Sequence, residues 1–261
     1  MTTKTASRFL WHDLDSAQPE RVLAFYGDVM GWSAEPFESG PMRYWTWLHD
    51  GAPIGGIGEL TDEARKHGAR AGWNGYIESR DVDRDAERVA SLGGRVRTTP
   101  VTLEGVGRMA VVEDPQGAAF TLFAPAPMDG PPPGDSPIGR FVWHDLGTTD
   151  PDAAWSFYSG LFGWQESGRV PMGDMGDYRI FGADGADLGG MMKCAASTDA
   201  PGWLYYVQVA DIEETVRRVK AGGGDVVHDV MPVPGGRIAV CRDPEGAEFG
   251  LHEAASGGGE R

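Results

Sequence analysis

The sequence predicts an α+β fold of two tandem domains, each made of two βαβββ units, and three observations carry that prediction. Arg8-Phe9-Leu10-Trp11-His12-Asp13-Leu14 recurs 132 residues later as Arg140-Phe141-Val142-Trp143-His144-Asp145-Leu146. Between 8–32 and 140–164 there are 11 identities in 25 positions, which marks a duplicated domain. Two further echoes keep nearly the same offset: Trp73 and Tyr76 with Trp203 and Tyr206, and Asp114-Pro115-Gln116-Gly117 with Asp243-Pro244-Glu245-Gly246.

Each element follows from local pattern. Residues 8–14 carry bulky apolar and aromatic side chains and read as a strand. A helix then starts near Pro19 and Glu20, buries Val22, Phe25, Tyr26 and Val29 at helical spacing, and stops at Gly31. In the second copy Asp150-Pro151 opens the helix, Trp155, Tyr158 and Phe162 form its face, and Gly163 ends it. Strands follow at 44–49 and 54–58 around the Asp50-Gly51 turn, and at 178–181 and 188–192 around Asp184-Gly185. The glycine pairs 55–56 and 189–190 predict a bulge or a close backbone approach.

New strands open at 73–79 and 203–209, and helices are expected near 82–92 and 211–221. The remaining strands are expected near 95–98, 108–113 and 119–123, and near 225–228, 237–241 and 247–252. The domains are therefore 8–123 and 140–253, with a Pro/Gly linker over 124–139 and a disordered tail over 254–261.

Composition narrows the function. A net charge of −16 with no Lys/Arg cluster opposes nucleic acid and anionic membrane as partners. No apolar run reaches the roughly 20 residues of a membrane span, and the N-terminus lacks a secretory segment, so a cytoplasmic location is expected. Cys194 and Cys241 lack the spacing of a zinc or redox motif and are expected to stay reduced. No phosphate loop, nucleophile elbow or cofactor signature is present, and no cofactor is expected.

Four βαβββ units, Phe-Tyr followed by Gly-Trp at the end of the first helix, and Asp-Pro-x-Gly before a closing strand resemble the vicinal oxygen chelate superfamily. That superfamily includes glyoxalases, extradiol dioxygenases and bleomycin-resistance proteins. The tandem Trp-His-Asp-Leu pattern looks like its two-domain glyoxalase-like members, some labelled hydroxylases. The resemblance implies curved half-barrel sheets, completed either by units of one domain or by units swapped between neighbours, with a homodimer as a candidate assembly. It also implies a divalent metal on His, Gln and Glu ligands. Carried over, those ligand positions fall on Trp11, Gly56–Ile57, Asn74 and Thr121, and on Trp143, Gly190–Met191, Leu204 and Gly250. Neither set can hold a metal in the family's manner, so the metal assignment is none.

His12 and His144 have two readings: a histidine hydrogen-bonded within the sheet, or a ligand or general base. Asp13 and Asp145 lie two residues beyond Trp11 and Trp143 and so share their face. They read either as catalytic carboxylates whose burial suits proton transfer, or as partners of Arg8 and Arg140. Period-2 geometry lines one surface of domain one with Trp11, Asp13, Trp45, Trp47, Asn74, Tyr76 and Glu78. In domain two it selects Trp143, Asp145, Arg179, Phe181, Tyr206 and Gln208, with His252 at the last strand's end. The expected ligand is a small, partly aromatic or carbonyl-bearing metabolite, stacked on indoles. The rivals are a metal-dependent lyase or dioxygenase, using His12, His144 and Glu59, and a drug-sequestering protein without turnover.

Overall fold

A computed structural model describes residues 6–38, 43–66, 68–127, 136–194 and 200–255. The first repeat contains β1 (Phe9–Ser16), α1 (Pro19–Met30), β2 (Ser33–Pro36), β3 (Tyr44–His49), β4 (Ala52–Glu59) and a short α2 (Asp62–Lys66). It continues with β5 (Gly72–Glu78), α3 (Val82–Ser91), β6 (Arg95–Val96), β7 (Val101–Leu103), β8 (Gly107–Glu113) and β9 (Ala119–Pro125). The second repeat holds β10 (Phe141–Thr148), α4 (Pro151–Phe162), β11 (Gln165–Pro171), β12 (Asp177–Ala183) and β13 (Ala186–Lys193). Its later half is β14 (Gly202–Gln208), α5 (Ile212–Ala221), β15 (Asp225–Val233), β16 (Gly236–Arg242) and β17 (Glu248–Ala254).

The strands form two sheets, of nine and eight strands, one per repeat. The halves of the first run β2-β3-β4-β1 and β5-β9-β8-β6, with β7 on β8. Those of the second run β11-β12-β13-β10 and β14-β17-β16-β15. The expected α+β architecture is present. Four of these elements had no expectation: β2, β7, β11 and α2, short segments that carry little apolar periodicity.

Local chemistry explains the boundaries. Gly31 and Gly163 end α1 and α4 with φ of 71° and 76°, a left-handed conformation that costs glycine little. Asp50-Gly51 and Asp184-Gly185 make the hairpin turns, all four residues at positive φ. Ala124 and Pro125 belong to β9 rather than to the linker, and Ala254 to β17 rather than to the tail. The stretches 128–135 and 256–261, within the expected linker and tail, lie outside the described residues.

The chain divides into two compact units that interleave the repeats. One unit is residues 1–11, 74–129 and 143–204; the other is 12–73, 130–142 and 205–261. Each unit thus joins the first half of one repeat to the second half of the other. In the first unit, Val82 and Val89 of α3 bury against Phe157, Tyr158 and Phe162 of α4, over Ile77, Phe120 and Leu122. In the second, Val22, Phe25 and Tyr26 of α1 bury with Ile212, Val216 and Val219 of α5, over Leu14, Val207 and Phe249.

The repeated motifs meet inside these units. The Tyr158 hydroxyl donates to Asp114 Oδ2 at 3.2 Å and accepts from Trp203 Nε1 at 3.2 Å. In the other unit, Tyr26 Oη accepts from Trp73 Nε1 at 2.9 Å. Burial, and then the charge of Asp243, hold the Tyr26 phenol well above its ordinary pKa. The third residue of each Asp-Pro-x-Gly turn reaches the start of the other repeat's helix. Gln116 Oε1 accepts from Thr149 Oγ1 at 2.8 Å and from Asp150 N at 2.7 Å. Glu245 accepts from Ala17 N at 3.2 and 3.1 Å and from Ser16 Oγ. Tyr26 and Tyr158, Trp73 and Trp203, and the two Asp-Pro-x-Gly turns are therefore parts of one core joint in each unit.

Both cysteines are free, and burial pushes the Cys241 thiol up to about 12, which makes it an inert core residue. Among the described residues no helix is long and apolar enough to cross a membrane.

Candidate functional site

The site is best built from the first strand of each repeat, where Asp13 and Asp145 stand. In the second unit, parallel pairing of β1 with β4 sets Asp13 opposite Gly56, and β3 sets Thr46 opposite the same glycine. Tyr44, at the start of β3, lays its ring across that glycine. Its hydroxyl donates to Asp13 Oδ1 at 2.7 Å. A Cβ on Gly56 would stand 1.7 Å from Tyr44 Oη and 2.8 Å from Asp13 Oδ1. The glycine is required because the phenol fills its side-chain space.

The first unit repeats the arrangement with Asp145, Tyr178 and Gly190. The Tyr178 hydroxyl donates to Asp145 Oδ1 at 2.5 Å. Trp143 Nε1 lies 2.6 Å from Tyr178 Oη and 3.0 Å from Asp145 Oδ1, so indole, phenol and carboxylate close a three-membered network. Gly190 pairs with Asp145, and a Cβ there would lie 1.9 Å from Tyr178 Cζ.

The two clusters differ two residues further along the strand. Asp15 follows Asp13 on the same face of β1, whereas the second repeat has Gly147 there. Asp15 keeps solvent contact, yet surrounding protein strips away enough water to matter. Burial, then the negative charge of Asp13, push its carboxyl up to about 6. The sign of the consequence follows from the folded state holding this proton more tightly than the unfolded chain. Ionising Asp15 therefore disfavours folding above about pH 6 and has no such effect below its ordinary value of 3.8. Asp15→Asn should leave the thermal midpoint unchanged below about pH 3.5 and raise it progressively from about pH 4 to pH 6, with no further change above. A wild type and variant that track each other across that range would refute the assignment.

The other predicted residues fall into three groups. Asn74, Tyr76 and Glu78 share one face of β5, as expected, opposite the buried Ile77 and Ser79. Asn74 Nδ2 donates to the buried Thr121 Oγ1 at 2.6 Å, and Tyr76 meets Phe123 edge-on at 5.4 Å. Tyr206 and Gln208 likewise share a face of β14, opposite the buried Tyr205 and Val207. The Tyr206 ring covers Gly250, where a Cβ would meet it at 2.2 Å. His252 pairs with Gln208, and burial lowers its pKa.

Six assignments need correction. Trp47 is 1% exposed and packs on Trp32 and Tyr26, inside the core of the second unit. Trp45 shares that side of β3, packed against the same core and capped by the Arg43 guanidinium at 4.8 Å. The face of β3 that meets Asp13 is instead that of Tyr44 and Thr46. In β12 the same inversion puts Phe181 in the core, stacked on Trp164 at 4.4 Å. Arg179 is buried beside it, bound to Asp152 at 2.6 Å and Glu166 at 3.0 Å, over the Trp155 ring. In β3 the two indoles gain more by burial than Tyr44 and Thr46 do, which sets the parity there. In β12 burial of Phe181 carries Arg179 with it, its charge met by Asp152 and Glu166.

His12 and His144 are the remaining two. His12 is buried, stacked on Phe141 at 4.0 Å and edge-on to Tyr205. His144 stacks on Phe9 at 3.8 Å, with Nδ1 2.7 Å from the Leu188 carbonyl. Burial lowers its pKa to about 4, so it is neutral at physiological pH. Both rings lie on the strand face opposite the aspartates.

The donors present do not suit the metal that the resemblance implies. Its four positions carry indole, glycine, amide and hydroxyl in the first repeat, and indole, glycine, leucine and glycine in the second. At Gly56, Gly190 and Gly250 a tyrosine ring takes the side-chain volume. Among the described residues no three His, Cys, Asp or Glu side chains gather as a metal site.

Comparison with known proteins places the chain. Residues 12–123 match the model of a glyoxalase-like domain, and 138–251 match the Glyoxalase/Bleomycin resistance protein/Dioxygenase superfamily model. The chain is 30% identical over 264 residues to the anthracycline biosynthesis protein DnrV of Streptomyces peucetius, covering 95% of this chain and 93% of that one. It is also 30% identical over 249 residues to CFP32 of Mycobacterium tuberculosis, covering 94% of each. Among solved structures it is similar to a 2,2',3-trihydroxybiphenyl 1,2-dioxygenase from Sphingomonas wittichii. There the TM-score is 0.67 at 14% identity, over 96% of this chain and 91% of that one, a likeness of fold. The chain belongs to the Glyoxalase/Bleomycin resistance protein/Dioxygenase superfamily.

Proposed function

We propose that the protein binds a small, partly aromatic or carbonyl-bearing metabolite at its tyrosine–aspartate clusters, without the divalent metal of its superfamily. The observation that carries this reading is the phenol seated on Gly56 and on Gly190. In both repeats a hydrogen-bonded phenol and carboxylate stand where a ligand side chain for the metal would have to be. Such a pair offers oxygen acceptors and an exchangeable proton, which can hold a ligand hydroxyl or carbonyl and move its proton.

The first repeat is the better placed for proton transfer. There Asp15 adds a second carboxyl whose pKa near 6 lies close to neutrality, where general acid–base catalysis works well. With Gly147 in its place, the second repeat is assigned binding alone. The name of the 30%-identical DnrV, an anthracycline biosynthesis protein, favours an aromatic ligand for this chain also.

Titration with a hydroxyanthraquinone, followed by tryptophan fluorescence and calorimetry, tests the reading. Saturable binding is expected, and Tyr44→Phe with Tyr178→Phe should weaken it about tenfold or more, the value of a hydrogen bond to a charged group. Stoichiometric manganese, zinc or iron retained after dialysis would favour a metal-dependent lyase or dioxygenase instead. Tight binding with no product from any ligand would favour sequestration.

A further inference from the structure

A surface cavity of about 400 Å³ in the first unit has a different chemistry from the tyrosine–aspartate clusters. It is lined by Arg80, Arg84 and Arg88 with Ser7, Asp81, Asp85 and Leu161. Three guanidinium groups around one hollow are unexpected on a chain of net charge −16.

The acids in the wall are already engaged. Asp81 Oδ1 accepts from Arg84 N at 3.1 Å and so caps α3. Asp85 accepts from Ser79 Oγ at 2.7 Å and binds Arg88 Nη1 at 3.0 Å. Arg88 is fixed further, donating to the Leu161 carbonyl at 3.1 Å and the Gly160 carbonyl at 2.5 Å. Several other arginines are tied to acids, as Arg97 is to Glu113 at 2.6 Å and Arg237 to Glu253 at 2.9 Å. Among the described residues neither Arg80 nor Arg84 has an ion-pair partner.

The duplication supplies an internal control. Aligning the helix caps Asp81 and Asp211 sets Arg80 against Ala210 and Arg84 against Glu214. Glu214 is what a helix start favours at the third position, since a carboxylate there complements the helix dipole. Arg84 in the same place opposes the dipole. A local rule broken in one copy and kept in the other points to a task that only the first copy has.

The structure assigns to this cavity a binding site for a small oxyanion-bearing ligand, its phosphate or carboxylate group held by Arg80 and Arg84. Planar guanidinium forks match both groups through paired N–H donors. Arg88, held by the Leu161 and Gly160 carbonyls at the end of α4, lines the same cavity as Arg80 and Arg84. A hollow of about 400 Å³ accommodates a molecule of modest size.

Calorimetric titrations at low and moderate salt with inorganic phosphate, phenyl phosphate and succinate provide the test. One saturable site per chain is expected for at least one of these, weakened roughly tenfold or more in the Arg80→Ala/Arg84→Ala double variant. Rising salt should weaken it, because the charges are exposed. Binding of the phosphates alone assigns a phosphorylated ligand, and binding of succinate alone assigns a carboxylate. No saturable binding of any probe at low salt, or binding unchanged in a double variant with wild-type melting behaviour, overturns the proposal. The site shares no residue with the tyrosine–aspartate clusters, so either proposal can fail while the other stands.

Discussion

Gly189→Ala should cost the first unit its native fold. Parallel pairing of β10 and β13 sets Gly189 against His144. A Cβ there would lie 1.9 Å from the His144 carbonyl oxygen and 2.8 Å from both the His144 carbonyl carbon and Phe181 Cζ. The first two obstacles are backbone atoms in a paired strand and cannot swing aside. Relief requires parting the two strands, with loss of ladder hydrogen bonds and of the stacking of Phe181 on Trp164. The destabilisation should exceed roughly 4 kcal/mol, the range of severe backbone and core lesions. For Gly190→Ala, one residue on, the three nearest atoms all belong to the Tyr178 ring, which can rotate away. That substitution should therefore damage ligand binding more than stability. Urea unfolding separates the two, and a Gly189→Ala protein as stable as wild type would show the close approach to be wrong.

Cutting the chain between 128 and 135 should leave the molecule whole, whereas expressing either repeat alone should not give a folded monomer. The core of the first unit needs Ile77, Phe120 and Leu122 from one repeat and Phe157, Tyr158 and Phe162 from the other. Residues 6–127 alone would expose that surface, along with the face of α1 that meets Ile212, Val216 and Val219. Each isolated repeat should aggregate or pair with a second copy of itself, and mixing the two should restore the native melting transition. Size-exclusion chromatography and thermal unfolding read this directly. A monomeric, cooperatively melting 6–127 fragment would contradict the interleaved cores.

Much of this was legible in the sequence, for identifiable reasons. The duplication was plain because Phe25-Tyr26, Asp243-Pro244 and Trp73 are bound by one packing problem and cannot drift. The glycine pairs announced a close approach, which proved to be His12 and His144 carbonyls on one side and tyrosine rings on the other. Strand parity was harder. Tyr44-Trp45-Thr46-Trp47 carries aromatic bulk on both faces, so alternation alone could not choose the buried one. That ambiguity hid Tyr44 and Tyr178, the residues that contact the predicted aspartates. Asp15 escaped notice because its counterpart is Gly147, and attention to repeats favours what is repeated. Yet Asp13 and Asp15 two apart on a strand are a visible signal of carboxyls sharing a face.

The interleaving also imposes an order on synthesis. Residues 12–73 form the early part of the second unit, and their partners begin at 205. At roughly 5–20 residues per second, α1 with its exposed Val22, Phe25 and Tyr26 must wait on the order of ten seconds for α5 to leave the ribosome. The first unit, complete once residue 204 has emerged, can close while that segment is still unpartnered. Residues 12–73 are thus the stretch where a nascent-chain chaperone would have the longest window, and slow codons between 74 and 204 would widen it.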